Sequence, residues 1–161
     1  MTLLIALAIS IGLLAVVATF LFLGPLAALN VQIWQAFIAW ASFFHNGGKT
    51  DGALKTVICM SFGAVVGMAS VMLAGHLGGL GALAAPVAVG IGAAVIVLAA
   101  HVPQLSTIPS CVYGFASVAG LILLKGTAPM DAIVPTIVSI ALGTAFGWLS
   151  EQIAGKLTKS A

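Results

Sequence analysis

From residue 3 to residue 23 the chain reads LLIALAISIGLLAVVATFLFL, without a single charged side chain, and several more runs of this kind follow. A helix of about twenty such residues, at ~1.5 Å per residue, crosses the roughly 30 Å hydrocarbon core of a bilayer. The runs lack the alternating polar face of a membrane β-barrel strand, so they are read as helices, whose backbone groups are satisfied within the segment. Composition removes the soluble alternative: with 62% hydrophobic and 5% charged residues, a water-soluble domain would have almost no polar surface. The expectation is an all-α polytopic membrane protein, a single integral membrane domain over residues 1–161. The N-terminal run lacks the basic residues and short apolar block of a secretory signal and reads as a retained helix.

Six apolar blocks can be drawn: residues 3–23, 31–44, 53–75, 80–100, 108–124 and 131–150. Two are short. The second, VQIWQAFIAWASFF, spans only by recruiting LAALN in front of it, and the fifth, IPSCVYGFASVAGLILL, carries a proline near its start. Each could be a tilted span or a re-entrant, broken half-helix, which leaves five to six spans. Lysines test the count, because cytoplasmic flanks collect basic residues. Lys49 and Lys55 lie in one loop and Lys156 and Lys159 in the tail, which places both regions on one side if the third to sixth blocks all cross, and the N-terminus with them if the second crosses as well. Only Lys125 then lies outside. Both termini are expected in the cytoplasm on this count; a re-entrant fifth block would leave five spans and an ambiguous orientation.

Packing signals sit in GAVVG and GTAFG, which place Gly63 with Gly67, and Gly143 with Gly147, on single helix faces. Such pairs let backbones approach closely in lipid, either within one chain or between subunits. Trp148, and less clearly Trp40, suit interfacial anchoring.

The candidate solute path lies in HVPQLSTIPSCVYGFAS, residues 101–117. Pro103 and Pro109 lack amide hydrogens and disfavour helix in the residues before them, so the fourth and fifth blocks do not join smoothly. In one arrangement residues 102–107 form a short surface loop, His101 is interfacial, and Pro109 sits in the first helical turn behind a Ser/Thr cap. In the other, the segment dips into the bilayer, and Gln104, Ser106, Thr107 and Ser110 face a polar path narrowed by Tyr113 and Gly114. A matching interruption after the other short block offers His45 and Asn46, and His101 is the candidate titrating or gating group.

The ionisable residues narrow the chemistry. No charge lies in the middle of a block, so a proton relay or voltage sensor lacks its usual parts. Asp131 is read as a helix N-terminal cap and Glu151 as a surface charge after the last helix. Three acids and three scattered histidines form no triad, paired carboxylates or ligand cluster, so neither an enzyme nor a metal or other cofactor is expected. Cys59 and Cys111 read as buried small residues. Arginine is absent, which speaks against nucleic acid as a partner.

The stretches IPSCVYGFAS, FFHNGGKTDGAL and GTAFGWL together resemble a family of small bacterial inner-membrane proteins typified by YcdZ and catalogued as a domain of unknown function. Pro109 and Gly114 match its Pro-x-x-aromatic-x-Gly element, with the aromatic displaced to Tyr113 and Val112 in its place; Gly47 and Gly48 match its paired glycines. The resemblance implies the bacterial cytoplasmic membrane and no secure substrate. The chain length and broken-helix layout are also similar to one half of a bacterial urea transporter, at the level of fold alone. That likeness implies a homo-oligomer, a dimer or trimer, with the lipid bilayer and a small neutral solute as partners. Two functions are expected from these readings: a passive channel or facilitator for a small neutral or weakly polar solute, or an accessory scaffold that docks a partner through its glycine faces.

Overall fold

A computed structural model describes residues 1–159, and these are helical without strands: α1 (Leu3–Leu23), α2 (Ile33–His45), α3 (Lys49–His76), α4 (Ala84–Ala99), α5 (Ile108–Lys125) and α6 (Pro129–Lys159). Short 3-10 turns cover Ala27–Leu29, Gly78–Leu83 and Pro103–Leu105. Five segments are long and apolar enough to cross a membrane: α1, α3, α4 together with the 3-10 turn before it, α5 and α6. The exception is α2, whose 13 residues reach only about 20 Å. LAALN does not lengthen it, because Ala27–Leu29 turns as a separate 3-10 piece that Asn30 closes in the left-handed conformation, φ 55°. The fifth block is an unbroken helix of 18 residues, with its proline in the first turn and no side-chain cap from Thr107. It ends where Gly126, at φ 69°, returns its amide to the Ile122 carbonyl.

The described chain packs as two compact units, the first made of Met1–Thr56 and the chain from Val138 onward, the second of Val57–Ile137. In the first unit α2 and α6 lie backbone to backbone, since a Cβ on Gly143 would fall on the main chain of Ala36 and one on Gly147 would come 2.8 Å from the Phe43 ring. Trp40 is 5% exposed, stacks on Phe146 at 5.8 Å and donates from Nε1 to Ser150 Oγ at 3.1 Å. It is therefore a core residue rather than an interfacial anchor: the ring lies in the helix contact and Ser150 satisfies its one polar atom. Trp148, 44% exposed, remains on the outer surface. In the second unit α3 and α5 make the close approach, with Gly63 against the Cys111 main chain and Gly114 against that of Met60. Phe115 and Val118 crowd Gly67 at 2.8 Å.

Two sequence readings of acidic residues change. Asp131 lies inside the first turn of α6 rather than ahead of it. Glu151 lies inside α6, which continues to Lys159, and its Oε2 accepts the Lys49 amide at 2.8 Å. Gly47, Gly48 and Lys49 all have positive φ, so the chain enters α3 through three left-handed residues. At the first two glycine bears this freely; at Lys49 the conformation is costly and the carboxylate holds it in place. Glu151→Ala removes an acceptor at a helix N-terminus and is expected to cost about 1 kcal/mol, lowering the thermal midpoint of detergent-solubilised protein by about 2–4 °C. An unchanged midpoint would show that water replaces the carboxylate at no cost.

Candidate functional site

The proline-bearing segment is a link between helices. His101, Val102, Pro103, Gln104 and Ser106 are exposed, and Leu105 and Thr107 are half-buried. Several of its carbonyls are met by neighbours: Val102 accepts from the Leu105 amide at 2.8 Å and Thr107 from the Cys111 amide at 3.2 Å. The thiol of Cys59 donates to the Gln104 carbonyl at 3.3 Å, and that of Cys111 points at the Leu105 carbonyl at 3.9 Å. Both cysteines are buried and free. The small apolar residues expected there thus also serve as weak donors to a turn that cannot continue the helical ladder.

The candidate path residues divide accordingly. Ser110 and Gly114 are buried, Tyr113 is half-buried, and Gln104 and Ser106 stand on the surface beside His101, whose Nδ1 meets the Leu98 carbonyl at 3.0 Å. These residues belong to the second unit, whereas His45 and Asn46 belong to the first. His45 is exposed at the end of α2. Asn46 turns inward and donates from Nδ2 to Thr56 Oγ1 at 2.9 Å and to Ser42 Oγ at 3.4 Å.

Asn46 leads to a set of polar residues that the loops do not announce. Ser42 Oγ and Thr56 Oγ1 lie 3.3 Å apart, and Ser42, Thr56 and Gln35 are each 0% exposed. Gln35 and Ser42 are seven positions apart and so share one face of α2. Thr56 is the eighth residue of α3, about 10 Å along its axis. In the second unit Ser110, Ser117 and Thr136 are also 0% exposed. Hydroxyl and amide groups withdrawn from water cost free energy unless hydrogen-bonded, a cost that Asn46, Ser42 and Thr56 meet among themselves. The cue available in sequence was this seven-residue spacing, Gln35 to Ser42 and Ser110 to Ser117, within otherwise apolar helices.

What these groups can do chemically is donate and accept hydrogen bonds without carrying charge. Among the described residues no group of three or more His, Cys, Asp or Glu side chains is placed to hold a metal ion. An apolar crevice of about 260 Å³ in the first unit is lined by Ile11, Phe37, Trp40, Ala41 and Phe44, whereas another in that unit is lined by Lys49, Glu151, Gln152, Gly155 and Lys156.

A helical chain with five membrane-length apolar segments and uncharged polar side chains packed inside defines a multi-pass membrane protein. Residues 8–155 match the family described as protein of unknown function (DUF1097), and the chain belongs to that family. No curated protein and no solved structure matches it.

Proposed function

We propose that the protein is a small oligomeric channel or facilitator that lets a small neutral or weakly polar solute cross the bacterial cytoplasmic membrane passively. The observation that carries the reading is the Asn46–Thr56–Ser42 group with Gln35, a set of uncharged donors and acceptors buried among apolar helices. Such a set can exchange hydrogen bonds with a neutral solute, while the lack of charge within it gives an ion no counter-charge and offers no site for coupling to protons. Within the second unit, taken by itself, the exposed His101, Gln104 and Ser106 and the half-buried Thr107 would lead to Ser110 and Tyr113. The C-terminal tail lies in the cytoplasm with the α2–α3 loop on this reading, in keeping with the lysines of both, since α3 to α6 make four crossings between them. The likeness to YcdZ-type inner-membrane proteins and to half of a urea transporter belongs to the same proposal, as does the absence of catalysis.

The scaffold alternative has less support. Gly63, Gly67, Gly143 and Gly147 are all occupied by helices of the same chain, which leaves none of these faces free for a partner.

Purified protein in liposomes tests the reading by stopped-flow light scattering under a urea or glycerol gradient. Wild-type vesicles are expected to equilibrate several-fold faster than protein-free ones, and Thr56→Val, which keeps the shape and deletes the hydroxyl, to slow the process. Equal rates with and without protein would overturn the proposal. Gly114 is unsuitable for this purpose, since any side chain there collides with the Met60 backbone before it could narrow a path.

A further inference from the structure

We infer that the chain is a duplicated three-helix repeat, α1–α3 and α4–α6, and that the buried polar set of Gln35, Ser42 and Thr56 has a second copy in Ser110, Ser117 and Thr136. The element order is the first sign. Each half runs through a helix, a 3-10 turn, a second helix and a third, and each third helix is the longest of its half. The glycine pairs belong to a longer recurrence: GAVVGMASVMLAGHL from Gly63 realigns with GTAFGWLSEQIAGKL from Gly143, 80 positions on. The same spacing pairs Asp51 with Asp131 in the first turn of α3 and α6, and Thr56 with Thr136. For the second helices IWQAFIAWAS realigns with IPSCVYGFAS at 75 positions. The five-residue difference equals the excess of α5, 18 residues, over α2, 13 residues. The repeat thus explains the one helix too short to span: α2 begins where α5 begins but lacks its last turn and more.

Packing reproduces the alignment in each unit taken by itself. In the second unit Gly63 meets Cys111 and Gly67 meets Val118; in the first, the corresponding Gly143 meets Ala36 and Gly147 meets Phe43. The apolar cluster of Cys111 with Ile108, Phe62 and Val66 recurs position for position as Ala36 with Ile33, Leu142 and Phe146. Ser139 Oγ accepts the Gln32 amide at 2.9 Å, ahead of α2, and its counterpart Cys59 bonds the Gln104 carbonyl ahead of α5. In both cases the third helix of one half packs with the first two of the other, and the chain changes unit after Thr56 and after Ile137, nearly equivalent positions. Recurring contacts at aligned positions are not expected of two unrelated helical hairpins, whose registers would be independent.

Resting on the function proposed above, the duplication assigns the second polar set the same ligand class, a small uncharged solute with hydrogen-bonding groups. It also makes a statement about topology that stands without any transport. Three helices separate the loop before α3 from the equivalent loop before α6, so these loops face opposite sides of the membrane. The experiment uses the full chain with Cys59→Ser and Cys111→Ala, the residues that the other copy already carries at these positions. In that background single cysteines at exposed sites, Thr50→Cys and Ala128→Cys, are treated with a membrane-impermeant maleimide in intact spheroplasts and in inverted vesicles. Labelling from opposite sides is expected, and labelling of both from one side would overturn the duplication. In liposomes Thr136→Val is then expected to slow urea or glycerol entry by a factor similar to Thr56→Val, with Thr136→Ser restoring the rate. A wild-type rate in Thr136→Val beside an impaired Thr56→Val removes the second set. Absence of flux in the wild-type chain overturns the function and with it the ligand assigned to both sets, while the labelling still decides the duplication.

Discussion

Gly143→Val and Gly63→Val are each expected to destabilise the folded protein by about 3 kcal/mol or more, the upper part of the range for overpacking. In a chain of this size that lowers the thermal midpoint in mild detergent by about 6–12 °C. The physical reason is that both glycines oppose main chain, Ala36 in one case and Cys111 in the other, so no rotamer change can make room and the helices must separate. Separation also undoes what lies beyond the crossing, the Trp40–Phe146 stack in the first unit and the packing of Phe62 and Val66 in the second. Gly12→Val, with open space around it, provides the control and is expected to leave the midpoint within a degree or two. Equal behaviour of all three variants in fluorescence-detected size-exclusion chromatography across a temperature ramp would contradict the close crossings. A repeat unit that uses the same crossing twice further predicts that the Gly143 and Gly63 variants lose similar amounts.

Trp40→Ala is the second large effect, expected at about 3–5 kcal/mol, the cost of emptying an aromatic position in a packed core. It removes the stack on Phe146 and leaves Ser150, whose hydroxyl turns to the Gly147 carbonyl at 2.7 Å, without the indole donor. Trp40→Phe keeps most of the buried area and loses chiefly the hydrogen bond, a cost of about 1 kcal/mol. Trp148→Ala, at an exposed site, is expected to leave the folded core intact. A Trp148 variant as unstable as the Trp40 variant would mean that the surface position, not the stack, holds α6 in place.

These variants also bear on function, because they separate loss of fold from loss of path. A transport variant is informative only when its midpoint stays near wild type. Thr56→Val and Thr136→Val conserve volume but delete a buried hydroxyl, at about 1–3 kcal/mol where a partner stays buried, so their rates are read beside their midpoints; bulk at Gly114 is unsuitable because its neighbour is backbone.

Much of the architecture was legible in the chain. The bounds of the first block coincide with α1, and the fifth differs from α5 by one residue, since an uncharged apolar run has few stable alternatives in lipid. The interruption at Gly47 and Gly48 was legible too, because both residues take the positive φ that glycine bears freely. Reading was less successful where a residue's meaning depends on its partner. Trp40 resembles an anchor until Phe146 and Ser150 are beside it, and Glu151 resembles a surface charge until the Lys49 amide is found at its carboxylate. Prolines mark residues 101–117, yet the carbonyls of Val102, Ser106 and Thr107 there are met by neighbouring amides and those of Gln104 and Leu105 by two cysteines. Meanwhile Gln35, Ser42 and Thr56, with no break in the helix to mark them, carry the buried hydrogen-bonding capacity.

The sequence alone determined the solvent, the helical class and some of the places where helices stop, because these depend on hydrophobicity and backbone freedom, which are properties of short stretches. Tertiary structure alone decided which glycine meets which backbone, which hydroxyls are shut away from lipid and water, and that α3 and α6 each leave the unit in which they begin. Those are relations between residues tens of positions apart, and only the meeting of helices defines them.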